Sequence, residues 1–378
     1  MQIAFYAPMK PPDHPVPSGD RRMGRLLIQA LRRAGHDVAI ASRLRSWNGD
    51  GDPAAQERIR RRATGLAERF VDSASNRRPD VWFTYHLYHK APDWLGPMVS
   101  MALGIPYVAA EVSFAPKRDG GPWSIGHAAV RQAIGRLDGV IHLNPDDEPC
   151  VRPLLKSTCR RLSLAPFLDP DPFDRARRNR AALRSAFASS LGVDPDLPWL
   201  VSTAMMRPGD KLSSFRILGE ALAQMEAEPW ILLVAGDGPA RQEVETVLPS
   251  GHRVRFLGTQ SPAGIADLHA ASDLFVWPAI NEAFGLAILE AQAAGLPVIA
   301  GRSAGVASLV RDGRTGRLTP PGDPVAFADA VKDLIGDQGT RNRMGQAAQA
   351  KVRNQHSLDH AAASVDDLLA RVTGRLAA

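Results

Sequence analysis

Two glutamates separated by seven residues, Glu282 and Glu290, sit in the passage Trp277-Pro-Ala-Ile-Asn-Glu-Ala-Phe-Gly-Leu-Ala-Ile-Leu-Glu-Ala-Gln-Ala-Ala-Gly-Leu-Pro-Val-Ile-Ala300. A strand ends at Trp277-Pro278, a loop carries Glu282, and Gly285 lies near the first turn of an apolar helix that contains Glu290 and stops at Gly295. A helix start offers free N–H groups and a positive dipole end, which suits phosphate or a polar sugar ring. Glycine lets a ligand approach that backbone closely. A carboxylate inside an apolar helix needs a partner, and a ribose diol is a good bidentate one. The competing reading is a Glu that reaches the surface or pairs with an Arg.

Other residues with chemical potential are more isolated. His86 follows the apolar run Val81–Tyr85 and either faces an acceptor or serves as a structural hydrogen-bonder. His142 ends another such run and reads as a core or capping residue. No His, Cys and Asp grouping has zinc-like spacing. Gly-Asp-Gly-Pro239 lacks the Gly-Lys-Ser/Thr ending of a phosphate-binding Walker loop, and no Gly-x-Ser-x-Gly elbow occurs.

The elements that must position these residues alternate along the chain. Strands are expected at Gln2–Ala7, Asp37–Ala41, Val81–Tyr85, Tyr107–Ala110 and Gly139–Leu143, with helices at Met23–Ala34, Ala54–Ser73, Trp94–Leu103 and near Ile125–Leu137. A second series has strands at Trp199–Thr203, Trp230–Ala235, Arg253–Leu257, Asp273–Trp277 and Pro297–Ala300, and a helical, Ala-rich end from Phe327. Such alternation predicts an α/β fold with parallel sheets covered on both faces. Between Leu162 and Arg180 the pattern falters, and Pro166, Pro170 and Pro172 predict a crossing segment and a domain boundary. Domains are expected at 1–165 and 166–355, with a helix at 356–378 packing back on the first. Two such units imply facing sheets with a cleft between them, where ligands usually sit.

Composition limits the classes. With 378 residues, 44% hydrophobic and 23% charged, the chain is neither disordered nor a disulfide scaffold, since it has only two cysteines. The start does not read as a signal peptide, and the longest uncharged run, Trp94 to Ala110, is broken by Pro97, Gly104 and Pro106. Residues 1–200 carry a charge balance of +8 and residues 201–378 one of −2, within the total of +6. The densest basic cluster, Arg58, Arg60, Arg61 and Arg62, is a solvated helix face or a contact for an anionic membrane surface. It lacks the interleaved aromatics of a nucleic-acid site.

Glu282, seven residues, Glu290 and then Ala-Gln-Ala-Ala-Gly-Leu-Pro-Val-Ile resemble the signature of retaining, nucleotide-sugar-dependent glycosyltransferases of family 4, which have the GT-B fold. Val234-Ala-Gly-Asp-Gly-Pro239, Arg255-Phe-Leu-Gly258, Arg311-Asp-Gly-Arg-Thr-Gly316 and Pro320-Pro-Gly-Asp323 are similar to further segments of that family. The resemblance is strong over residues 195–335 and thinner over residues 1–165. It implies two Rossmann-like domains and transfer of a hexose-type sugar from a UDP- or GDP-sugar to an acceptor hydroxyl. The setting it implies is polysaccharide, lipopolysaccharide or glycolipid assembly, in the cytoplasm or on the inner face of the membrane. No cofactor or metal is implied.

Residue by residue, the resemblance implies that Glu290 holds the donor ribose and that Glu282 contacts sugar hydroxyls. Phe284, Gly285 and Leu286 offer backbone N–H groups to sugar and diphosphate. Arg207 and Lys211 match the pair that compensates the diphosphate, Gly19 matches a phosphate-approaching glycine, and Leu257 and Gly258 lie where the base is gripped. Departure of a nucleoside diphosphate needs such fixed charges. Three departures stand out. Leu212 replaces a glycine, Ala304-Gly305 and Ser308 replace paired glycines and a Glu, and no His follows the strand after Gly104-Ile-Pro106. Glu111 or Ser113 is the candidate replacement for that His. An epimerase-type enzyme on the same fold, or a non-catalytic scaffold, are the alternatives.

Overall fold

The computed structural model describes the chain except residues 17, 75–77, 250, 283–284 and 376–378, and the side chains of residues 145 and 304. It divides into two compact units. The first comprises residues 1–166 with the C-terminal helix Leu358–Thr373, and the second runs from Phe167 to Ser357.

The first unit is built on β1 (Gln2–Tyr6), β2 (Asp37–Ser42), β3 (Val81–Leu87), β4 (Tyr107–Val112), β5 (Gly139–His142) and β6 (Arg160–Ser163). They form one sheet in the order β2-β1-β3-β4-β5-β6, with parallel pairing throughout. The inner strands are buried almost residue for residue, as a sheet covered on both faces requires. Asp93 is buried beneath this sheet and accepts hydrogen bonds from Thr84 Oγ1 (2.5 Å), Tyr107 Oη (3.0 Å), Trp82 Nε1 (3.3 Å), Leu95 N (2.9 Å) and Gly96 N (2.8 Å). Five donors around one carboxylate make its burial tolerable. The C-terminal helix lies against the Gly19–Arg33 helix, with ion pairs Arg33–Asp359 and Arg375–Asp80, both at 2.7 Å.

The second unit contains β7 (Trp199–Thr203), β8 (Ile231–Ala235), β9 (Val254–Gly258), β10 (Leu274–Trp277), β11 (Val298–Gly301) and β12 (Gly316–Thr319), in the order β12-β11-β10-β7-β8-β9. All its pairings are parallel as well.

Two differences from the sequence reading have physical causes. The edge strands β6 (Arg-Arg-Leu-Ser) and β12 (Gly-Arg-Leu-Thr) were not foreseen. A strand with one neighbour and partly wet faces lacks the apolar run that marks a central strand. The proline-rich crossing also gives way to two helices, Asp171–Arg178 and Arg180–Leu191. Pro172 sits in the first turn of the former, where its missing N–H costs nothing. Phe173 and Ala176 then enter the core of the second unit. The arginines of these two helices are structural. Arg177 donates to the Ala294 carbonyl (2.9 Å), Arg180 pairs with Asp273 (2.6 Å), and Arg184 donates to the Ala271 and Leu197 carbonyls (both 2.7 Å).

Candidate functional site

In an open parallel sheet, ligands bind beyond the carboxyl ends of the strands, where the strand order reverses and adjacent loops part. In the second unit that point lies between β7 and β10. The loop after β7 carries Arg207 and leads to Lys211 in the first turn of the Asp210–Ala223 helix. The loop after β10 carries Glu282. Lys211 Nζ donates to Glu282 Oε2 at 2.5 Å, and Trp277 Nε1 donates to the same oxygen at 3.2 Å. The ammonium also lies 5.3 Å from the centroid of the Trp277 ring. Arg207 is exposed, and its guanidinium makes no hydrogen bond or ion pair with the described residues.

Each arm is braced. Gly236 and Gly238 have φ of +140° and +155°, and a Cβ on them would stand 1.9 Å from Ala204 O and 2.2 Å from Met206 O. The Ala-Gly-Asp-Gly turn therefore runs flush against the loop that carries Arg207, with bonds from Ala204 N to Ala235 O (3.1 Å) and from Met206 N to Asp237 O (3.0 Å). The Glu282 loop includes two non-glycine residues in the left-handed region, Ala279 (φ +55°) and Asn281 (φ +49°). Such strain persists only when surroundings enforce it. Here Ser214 Oγ accepts from Ile280 N at 3.0 Å and Asn281 Nδ2 donates to Asp210 Oδ1 at 3.1 Å.

Gly285 adopts φ +58° and caps the Leu286–Ala293 helix without a side-chain cap, so N–H groups of the first turn are unoccupied by side chains. Glu290 is buried in that helix at 5% exposure. Leu257 and Gly258 end β9, beside β8, and Gly236 N donates to Gly258 O at 2.9 Å. Phe284 lies outside the described residues. Leu212 is buried within the Asp210–Ala223 helix. The structure thus gathers Arg207, Lys211, Glu282, Gly285, Leu286, Leu257 and Gly258 at the carboxyl end of one sheet, with Glu290 in the helix behind.

Two supporting residues escaped the sequence reading. Gln292 is wholly buried and donates to Leu309 O (3.1 Å) and Thr315 Oγ1 (3.2 Å). Lys351, which burial pushes down to about 8, donates to Ser308 O (3.1 Å) and Leu309 O (2.7 Å). Together they cap the carbonyl end of the Ala304–Leu309 helix, before whose start Ser303 Oγ donates to Glu282 O at 3.3 Å. The signal for Lys351 was its register with the buried Met344, Ala348 and Val352. Replacing Gln292 by Leu keeps the volume and removes its buried, unpartnered Oε1, while Leu309 O keeps the Lys351 ammonium and Thr315 Oγ1 keeps the Arg311 N–H at 2.9 Å. We expect a change in stability within about 1 kcal/mol in urea unfolding.

In the first unit the strand order reverses between β1 and β3. The Gly19–Arg33 helix begins after β1, and a Cβ on Gly19 would meet nothing within 4 Å. Its neighbour Asp20 binds His86 Nδ1, at the end of β3, at 2.5 Å. Glu111, near the end of β4, is 8% exposed, and burial pushes its carboxyl up to about 7, with Asp147 and Asp20 acting in the same direction against His86. His86 and Glu111 both have positive φ, +63° and +56°. Ser113 is half-buried just beyond, its N–H bonded to Leu87 O at 3.0 Å. His142 is buried at the end of β5, which lowers its pKa. Asp20 was missed because an acid in a first helical turn reads as an ordinary complement to the dipole. Among the described residues no group of His, Cys, Asp and Glu is placed to hold a metal ion, and no helix is long and apolar enough to cross a membrane.

Residues 213–351 match the profile described as glycosyl transferases group 1. A D-inositol 3-phosphate glycosyltransferase of Corynebacterium diphtheriae is 36% identical over 166 residues, 40% of this chain and 39% of that protein. The chain therefore aligns with well under two thirds of that relative's length. A glycosyltransferase from Rickettsia africae superposes with a TM-score of 0.76 at 16% identity, covering 98% of both chains. Anabaena HepE, solved in complex with UDP and glucose, gives a TM-score of 0.70 at 19% identity, covering 98% of this chain and 99% of that one. The fold of these structures, GT-B, is the fold of this chain.

Proposed function

From the premise that this chain belongs to the glycosyl transferases group 1 family, we propose that it transfers a hexose-type sugar from a UDP-sugar to an acceptor hydroxyl, with retention of configuration. The observation that carries this reading is the meeting of Lys211 and Glu282, beside the unpartnered Arg207, at the strand-order reversal of the second unit. A cation pair and a carboxylate at that place match the needs of a diphosphate and of sugar hydroxyls. Support for UDP comes from HepE, whose structure holds UDP and glucose.

In this mechanism Glu290 grips the ribose diol, and the first-turn N–H groups at Gly285 and Leu286 receive sugar and diphosphate oxygens. Arg207 and Lys211 take up the charge that develops on the leaving UDP, and Glu282 orients the sugar through its hydroxyls. Leu257 and Gly258 border the base. Fixed charges aimed at a developing anion need no reorganisation at the moment of reaction, so the protein contributes positioning and electrostatics. The acceptor belongs to the glycan, polyol or lipid-linked class. The arginines Arg58, Arg60, Arg61 and Arg62 are exposed on the Pro53–Ser73 helix, which suits a peripheral contact with an anionic membrane.

Calorimetry with UDP and GDP, on wild type and Glu290→Ala, tests the reading. UDP is expected to bind wild type more tightly than GDP does. The substitution is expected to cost about 1.5–3 kcal/mol, roughly tenfold to more than a hundredfold in affinity. Absence of binding by folded wild type, or an unchanged variant, would overturn it. Product analysis with UDP-glucose then separates transfer from epimerisation, which alters the free donor, and from a scaffold, which alters nothing.

A further inference from the structure

The amino end of the second sheet holds a cavity of about 160 Å³, whose walls include Arg177, Arg180, Arg341, Asp273, Gly295 and Asn342. Asp273 and Gly295 stand in the segments that lead into β10 and β11, so the cavity lies at the opposite end of the strands from Lys211 and Glu282. Three elements deliver the arginines. Arg177 comes from the Asp171–Arg178 helix, Arg180 from the start of the Arg180–Leu191 helix, and Arg341 from the first turn of the Gln338–Gln355 helix. Gly295 is what lets Arg177 seat there: at φ +76°, a Cβ on it would stand 2.0 Å from Arg177 Nη1 and 2.6 Å from Cζ.

Each guanidinium is fixed from one side and has donors to spare. Arg177 donates through Nη1 to the Ala294 and Gly295 carbonyls, and Arg341 through Nη1 to those of Leu334 and Ile335. In both, Nε and Nη2 have no partner among the described residues, and that edge is the one that matches two oxygens of an oxyanion. The nearby acids are already matched. Asp273 pairs with Arg180 (2.6 Å) and Arg184 (3.0 Å), Asp174 pairs with Arg353 (2.8 Å), and the exposed Asp337 accepts from Thr340 N (2.8 Å) as the cap of the Gln338–Gln355 helix. Among the described residues, Arg177 and Arg341 have no carboxylate in ion-pair contact. Burial lowers the pKa of Arg177 and of Arg180. Arg353 acts in the same direction on the first, against Asp174, and Arg184 and Arg177 do so on the second, against Asp273. Like charges gathered in a partly dry cavity repel, and a bound anion relieves that cost.

We propose that Arg177, Arg180 and Arg341 form a binding site for phosphate, as the free ion or as the head of a small phosphate monoester, separate from the nucleotide-sugar site. The cavity is below the roughly 300 Å³ at which sites for drug-sized ligands begin, so it suits a phosphoryl group and not a nucleotide. The site goes beyond the transfer reaction proposed above and does not rest on it. Arg177 links the two places in the fold, because its Nη1 caps the carbonyl end of the Leu286–Ala293 helix, at whose start Gly285 stands.

Calorimetric titration of inorganic phosphate and of glycerol 3-phosphate into the full chain, near neutral pH and at constant ionic strength, tests it. Saturable binding is expected, with a Kd in the millimolar range or tighter. Arg341→Gln and Arg177→Gln should each weaken it roughly tenfold or more, since each removes a charge and a two-pronged donor. Arg207→Ala, at the other end of the strands, should leave it unchanged. Tighter binding of the ester supports the site and marks a phosphate monoester as its occupant; tighter binding of the ion supports it with free phosphate as the occupant. If Arg177→Gln does not fold, Arg341→Gln decides alone. No saturable binding of either probe by folded wild type, binding that Arg341→Gln leaves unaltered, or binding lost in Arg207→Ala would each overturn the proposal, the last by placing the anion at the donor loops.

Discussion

Lys211→Ala is expected to lower turnover with the cognate UDP-sugar by roughly a hundredfold to a thousandfold, the effect of removing one preorganised charge-stabilising donor, about 2.7–4 kcal/mol. Two terms act together. In the proposed mechanism the variant loses a cation at the departing diphosphate, and it leaves Glu282, whose side chain is 18% exposed, with the Trp277 N–H as its side-chain donor among the described residues. Lys211→Arg should restore part of the rate, since a guanidinium keeps the charge but not the compact geometry of an ammonium. Glu282→Gln makes the sharper comparison. In the free protein Glu282 neutralises Lys211 across 2.5 Å, so the amide releases the ammonium for an incoming anion. UDP alone should therefore bind Glu282→Gln at least as tightly as wild type, while sugar transfer falls. Binding and turnover moving in opposite directions is a result that a purely structural ion pair would not produce. If UDP binding falls as steeply in Glu282→Gln as in Lys211→Ala, the pair is a brace between two loops and not part of a donor site.

Glu282 of this pair was readable in sequence because its surroundings are local, whereas Lys211, 71 residues earlier, was reached only through the family resemblance. Glu282, Gly285 and Glu290 stand on one strand-loop-helix unit, where spacing alone sets which group faces the loop and which is buried. The alternation that gives two parallel sheets is likewise a local signal, and the central strands stand out because burial on both faces makes them apolar throughout. What escaped was non-local. Asp93 looks like any acid in a turn until Trp82, Thr84 and Tyr107 from two neighbouring strands converge on it. Asp20 meets His86, 66 residues away in sequence, only after β1 and β3 pair. Arg177, Arg180 and Arg184 stand in the segment whose prolines predict a crossing, yet their guanidinium groups end on carbonyls about a hundred residues away, such as that of Ala294. The edge strands β6 and β12 were missed for a different reason: their identity lies in a partner's open edge and not in their own composition.

Glu111 supplies the other large effect, and its sign follows from linkage. Burial raises its carboxyl from 4.5 to about 7, so the folded state resists ionisation that the unfolded chain accepts. Below about pH 4.5 both states hold the proton and no penalty exists. Between about pH 4.5 and 7 the unfolded state releases it while the folded state keeps it, so stability falls as pH rises, by about 3 kcal/mol in all. Above about pH 7 the penalty is constant. The groups facing this carboxyl are His86 and Tyr85 from β3, Asp20 from the Gly19–Arg33 helix and Asp147 beyond β5. Glu111→Gln removes the titration while keeping the shape. Urea unfolding of wild type and variant from pH 4 to 8 should show the variant gaining stability relative to wild type across that window, with the difference flat on either side. A difference that does not change with pH would mean that the Glu111 carboxyl titrates alike in both states, through water or a compensating cation.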